Sequence, residues 1–97
     1  MRQRLYKIRI SDELAGLVRR LHPQLKRKVK ASLKTILSNP DEGKTLKGEL
    51  AELRSYRVGQ LRIIYRVVGK NVVEIVVIGP REKIYEETFL ILKKEAR

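Results

Sequence analysis

Arg54-Ser-Tyr-Arg57-Val-Gly-Gln-Leu-Arg62-Ile-Ile-Tyr65 decides how this chain folds and what it presents on its surface. Gly59-Gln60 reads as a two-residue turn joining two short strands, so the stretch predicts a β-hairpin. In that register Val58 faces Leu61, and Arg57 lies across from Arg62 on the same face. Like charges placed opposite one another destabilise a sheet. The pairing therefore points to an anion held between them. Arg81 and Tyr85 follow the next apolar strand, in Gly79-Pro-Arg81-Glu-Lys-Ile-Tyr85, and are candidates to converge on the same spot.

Outward from the hairpin, strands are predicted at about 52–58, 61–68 and 71–78, the last two separated by the turn residues Gly69-Lys70-Asn71. Val72 to Ile78 is almost continuously apolar and β-branched, which suits an interior strand. Upstream, residues 39–50 carry Asn39-Pro40 and two glycines and read as a loop. Before that loop lie two helical stripes. Ser11 caps the first, and Leu14, Leu17, Val18 and Leu21 recur at helical spacing. His22-Pro23 ends it and opens the second, which carries Leu25, Val29, Leu33, Ile36 and Leu37 on one face. Residues 3–10 alternate as a leading strand, and a short terminal helix is expected from about Tyr85.

The fold predicted is α+β in the order β-α-α-β-β-β-α. It has an N-terminal helical hairpin packed on a small, mainly antiparallel four-stranded sheet, in one domain spanning residues 1–97.

The chain has 97 residues, no cysteine, and 23 Lys and Arg against 11 Asp and Glu, a formal charge of +12. Absence of cysteine excludes a disulfide framework and thiolate metal sites. The longest apolar run, Ile75 to Ile78, is far too short to span a membrane. The N-terminus alternates basic and apolar residues and lacks the apolar core of a signal peptide. These features lead to a cytoplasmic expectation with no membrane partner. The charge, with a sequence pI of about 10.4, attracts polyanions such as nucleic acid or an acidic protein.

Two readings of the arginines stay open on residues alone. Edge strands carry Arg and Lys to discourage aggregation, and Arg57, Arg62 and Arg66 suit that role; Arg66 reads as solvated. Alternatively, Arg57, Arg62 and Arg81 form an anion site, since each guanidinium offers a rigid fork matched to phosphate oxygens. Several such forks stabilise charge that builds on a phosphate during cleavage. Metal-independent RNA cleavage also needs a base for the 2′-hydroxyl and an acid for the 5′-oxygen. His22, alone and beside a proline at a helix end, reads as a cap. Tyr85 is the better acid–base candidate, since neighbouring guanidinium groups favour the phenolate; a hydrogen bond to the 2′-hydroxyl or base stacking is its lesser role. Lys44, Lys47, Lys83 and Arg54, with Lys26 and Lys30 on the second helix, are the candidate RNA-binding residues. No cofactor is called for, and no residues pair as metal ligands.

Leu46-Lys47-Gly48, then Leu53 through Tyr65 ending in Arg62-Ile-Ile-Tyr65, then Ile78-Gly79-Pro80-Arg81 with Ile84-Tyr85, resembles the RelE/ParE superfamily of type II toxins over essentially the whole chain. The resemblance implies a RelE-like, ribosome-dependent endoribonuclease that cuts mRNA in the ribosomal A site and arrests translation. It implies catalytic roles for Arg57, Arg62, Arg81 and Tyr85. The implied partners are the ribosome with its rRNA, mRNA, and a cognate acidic antitoxin, with a toxin–antitoxin heterotetramer as one arrangement. Ser55 stands where some members carry a second lysine, and Pro80 where relatives often carry a basic residue. Two alternatives keep the scaffold: a ParE-like inhibitor of DNA gyrase, and a non-catalytic basic domain that binds nucleic acid or an antitoxin.

Overall fold

A computed structural model describes residues 5–95, apart from the side chains of Arg81 and Glu82. Residues 3 and 4 of the expected leading strand, and the last two residues of the basic tail, lie outside the described residues. The elements run β1 (Lys7–Arg9), α1 (Asp12–Arg19), α2 (Pro23–Ser38), β2 (Lys44–Thr45), β3 (Arg54–Val58), β4 (Leu61–Val68), β5 (Val72–Pro80) and α3 (Arg81–Glu95). Ser11 caps α1 by accepting the Leu14 N–H at 3.1 Å. His22 caps α2 by accepting the Gln24 N–H on Nδ1 at 3.4 Å, and Pro23 occupies its first turn. Each cap satisfies a backbone donor that the first helical turn leaves free.

The strands form one sheet in the order β1-β5-β4-β3-β2. β1 runs parallel to β5, and every other pair is antiparallel. The architecture is α+β as expected, with two corrections. The sheet has five strands rather than four, because Lys44 and Thr45 leave the 39–50 loop to pair with Ser55 and Arg54. β5 also continues to Pro80 and α3 begins at Arg81, four residues before the expected start, so Arg81 and Tyr85 share one helix. Pro80 has no N–H to offer a further rung and marks the change.

The sheet is covered on both faces. Val18 of α1 with Val29 and Ile36 of α2 pack on Val58, Ile63, Tyr65, Val73, Ile75 and Ile78. On the other face Ile84 of α3 packs on Leu53, Ile64 and Val77. Simple alternation along β5 cannot put Val73, Ile75 and Ile78 on one side. A bulge does so: Ile64 pairs with Val77 but Tyr65 with Ile75, which leaves Val76 as an extra residue. Both Val76 and Val77 then face α3, and the alternation resumes with its phase inverted. Gly59, at φ +61°, occupies the first position of the β3–β4 turn, where a II′ turn requires positive φ.

One hydrogen-bonded staple explains the unexpected strand. The Tyr65 side chain is fully buried. Its hydroxyl donates to the Pro40 carbonyl at 2.6 Å and accepts the Gly43 N–H at 2.8 Å. A methyl group at Gly43 would collide with that hydroxyl, so only glycine allows the backbone so close. From outside, Arg54 donates to the Gly43 carbonyl at 2.9 Å and pairs with Asp41 at 3.3 Å. Fastened at both ends of this turn, the chain leaves along β3 as β2. The Leu46 N–H continues the pairing to the Leu53 carbonyl at 3.1 Å.

Burial pushes the Tyr65 phenol pKa up, with the Gly43 N–H and the Arg54 charge pulling part of the way back. Replacing Tyr65 by Phe is expected to cost about 1–3 kcal/mol, the usual penalty for stranding buried polar groups, read as a lower urea midpoint at unchanged slope. A raised phenol pKa contributes stability below the unfolded tyrosine value of about 10 and loses it above. Wild-type stability should therefore decline beyond that pH, and Tyr65→Phe should lack that share of the decline.

Candidate active site

The register of the hairpin is the one the turn residues predict: Arg57 pairs with Arg62, and Val58 with Leu61. Two rungs of the sheet build the site. The first runs Arg57–Arg62–Gly79, and the second Lys44–Ser55–Ile64–Val77. Cross-strand partners share a face, and Ile64 and Val77 pack against α3. Arg57, Arg62, Lys44 and Ser55 therefore all lie on the α3 face. This is the structural answer to the like-charge pair: two arginines and a lysine meet on one surface.

Arg62 is half-buried and leans toward the second rung, donating from Nη1 to the Ser55 hydroxyl at 3.3 Å. Its Nε–H is buried and has no hydrogen-bond partner among the described residues. A buried donor on a cationic group that has no acceptor is unfavourable. Arg57 is exposed, with Nε donating to the Gly59 carbonyl at 3.2 Å, which leaves the rest of its fork free of described partners. The described ion pairs engage Arg9, Arg54 and Arg66 and include neither Arg57 nor Arg62.

α3 starts beside Gly79 and folds back across the sheet. Ile84 and Thr88 are its fully buried stripe, and the lack of a side chain at Gly79 lets Ile84 settle on β5. Arg81 begins α3, and Tyr85, in its second turn, sits on one flank of the helix. One turn further along that flank, Phe89 lines a cavity of about 350 Å³ with Leu50, Glu49, Leu92 and Lys93. That flank, from Tyr85 to Phe89, is turned toward the segment that joins β2 to β3. The backbone places Arg81 directly after Pro80, which pairs with Leu61; its side chain lies outside the described residues. Tyr85 is 38% exposed, and no described hydrogen bond joins it to Arg57 or Arg62.

The remaining candidates separate into distinct places. Lys47 and Lys83 are exposed, on the loop after β2 and on α3. Lys26 and Lys30 lie on the helical hairpin, beyond the sheet from the arginines. Arg54 is held by Asp41 and Gly43. Arg66 is not the solvated side chain expected of it. It bonds Glu74 at 2.7 Å and Glu95 at 3.2 Å, because the register pairs it with Glu74. Partial burial works against its charge, but the bond and charge of Glu74, with Glu95 behind, prevail and raise its pKa. Ser55, expected only as the loss of a lysine, has a buried hydroxyl that accepts from Arg62, and Lys44 was not foreseen on the arginine face. Only the short strand brings Lys44 there. Among the described residues, no three His, Cys, Asp or Glu side chains gather as metal ligands.

Residues 8–88 match the model of the ParE-like toxins of type II bacterial toxin–antitoxin systems. The chain belongs to that family. No curated protein matches the sequence. Among solved structures, the fold is similar to the RelBE2 toxin–antitoxin complex of Mycobacterium tuberculosis, with 25% identity, a TM-score of 0.69, and 82% of this chain and 95% of that chain covered. A mutant of the Escherichia coli toxin RelE in the free state gives 20% identity and a TM-score of 0.73 over 95% of this chain and 98% of that one. The archaeal RelE–RelB complex of Pyrococcus horikoshii gives 23% identity and a TM-score of 0.62 over 80% and 97%. The protein is a type II toxin of the RelE/ParE kind.

A residue held for binding rather than for stability has a testable signature. Arg62→Met keeps an unbranched apolar stem out to the Nε position and removes the stranded Nε–H, so its melting temperature is expected to equal or exceed that of the wild type. A fall of several degrees would identify Arg62 as a structural residue.

Proposed function

We propose that this toxin is a metal-independent endoribonuclease of the RelE-like kind, cutting mRNA on the ribosome in the A site. The observation that carries the reading is the buried Nε–H of Arg62, without a partner among the described residues, on a side chain set directly across from Arg57. In this reading Arg57 and Arg62 grip the scissile phosphate and stabilise the charge that develops on it. Arg81, from the first turn of α3, adds a third guanidinium. Tyr85 takes up or orients the 2′-hydroxyl proton. Lys44 and Lys47, with the exposed lysines of α2 and α3, hold flanking phosphates of mRNA and rRNA.

The RelE–RelB and RelBE complexes among the structural neighbours support a cognate antitoxin as partner. A +12 domain suits an acidic segment that orders on binding. A second reading, gyrase inhibition, is favoured by the ParE-like family match. It leaves the stranded Arg62 Nε–H unexplained.

Inducing the protein in cells and mapping new 5′ ends across translated messages, with plasmid supercoiling followed in parallel, separates the two. Cuts confined to translated frames with supercoiling intact are expected; relaxed DNA with intact messages would transfer the protein to the second reading. Arg57→Ala and Arg62→Ala are each expected to lower cleavage by about 10²–10³, equivalent to 3–4 kcal/mol, with the far-UV spectrum unchanged. Wild-type cleavage in both variants would remove the arginines from the mechanism.

A further inference from the structure

We propose that Tyr65 is a positioning residue for RNA binding: its buried phenol fixes the Pro40–Gly43 turn so that β2 presents Lys44 beside Ser55 and Arg62 as an added phosphate contact. This rests on the ribonuclease reading above and names how part of that site is built. Tyr65 faces the helical hairpin, on the side of the sheet away from the arginines, so it never touches substrate. Its influence passes through the backbone.

The chain of contacts is short. The phenol holds Pro40 and Gly43 by the two buried hydrogen bonds at 2.6 and 2.8 Å. Gly43 immediately precedes Lys44, and Lys44 is paired with Ser55, the residue that Arg62 contacts at 3.3 Å. β2 is only two residues long. A strand that short has little ladder of its own, so its location depends on what fastens its ends. Lys44 lies two strands across and two residues along from Arg62, about 12 Å by ordinary strand spacing and rise, within reach of two long cationic side chains addressing one phosphate or neighbouring ones.

The test is equilibrium binding of a 2′-O-methylated single-stranded RNA, which offers phosphates and no nucleophile, over a series of salt concentrations. Each phosphate contact contributes about 0.7 to the slope of log affinity against log salt. Lys44→Ala is expected to lower the slope by about that amount, and Tyr65→Phe by the same amount although it removes no charge. The double variant Tyr65→Phe/Lys44→Ala is expected to lose no more than either single one. Lys70→Ala, in the β4–β5 turn, should leave the slope unchanged. Gly43→Ala forces the same contact apart with the phenol intact and should reproduce the Tyr65→Phe loss, which keeps the proposal testable should Tyr65→Phe not fold. If the wild type shows no salt-dependent RNA binding, the ribonuclease reading fails first. If the wild type binds and a folded Tyr65→Phe or Gly43→Ala keeps its slope, or Lys44→Ala does, the positioning role is overturned.

Discussion

Two guanidinium groups facing one another across a β-hairpin are the constraint on which this molecule turns. The Gly59 turn fixes the register, the register sets Arg57 against Arg62, and the sheet admits no slip that would separate them. A shift of one residue would move Ile63 and Tyr65 out of the hairpin core and Ile64 out from under α3. Burial of those side chains therefore enforces the like-charge pair. Repulsion between exposed cations near water is modest and screened by salt, whereas each displaced aliphatic or aromatic side chain costs about 1.5–3 kcal/mol. The core wins, and the arginines stay together.

Around that pair the fold separates two kinds of basic residue. Arg9, Arg54 and Arg66 are committed to Glu74, Asp41 and Glu95, and tie β1, the 40–43 turn and the end of α3 to the sheet. Arg57 and Arg62 have no such carboxylate among the described pairs. Partly exposed ion pairs add little to stability individually. Their value here is geometric, because they hold three segments against the sheet and leave the α3 face cationic. Exposed aromatic side chains on one flank of α3, Tyr85 and Phe89, give this face an apolar border.

Much of the architecture was legible because local signals agreed with one another. Ser11, Pro23 and Asn39-Pro40 bounded two helices, and the stripes Leu14 to Leu21 and Leu25 to Leu37 identified the face they bury. The Arg57–Arg62 opposition followed from turn length alone. What remained hidden depends on contacts distant in sequence. β2 has no strand pattern of its own and exists because Tyr65, 22 residues after Gly43, fastens the loop. The bulge at Val76 is invisible in an unbroken run of aliphatic residues. Arg66 looked solvated because Glu95, 29 residues away, gives no local sign of its approach. Arg81 joined α3 at its first residue since the strand-to-helix change falls at Pro80 with no intervening loop.

Arg57 and Arg62 are expected to act as one receptor for a phosphate. The side-chain Nε–H resonances of the arginines, followed by NMR while uncleavable single-stranded RNA is added, report this residue by residue. The Arg62 and Arg57 signals are expected to move together along one binding curve, Arg62 moving further as its stranded donor gains an acceptor, with Arg54 and Arg66 nearly still. Uniform small shifts over all arginines, or movement of Arg54 and Arg66 with Arg62 unchanged, would contradict it.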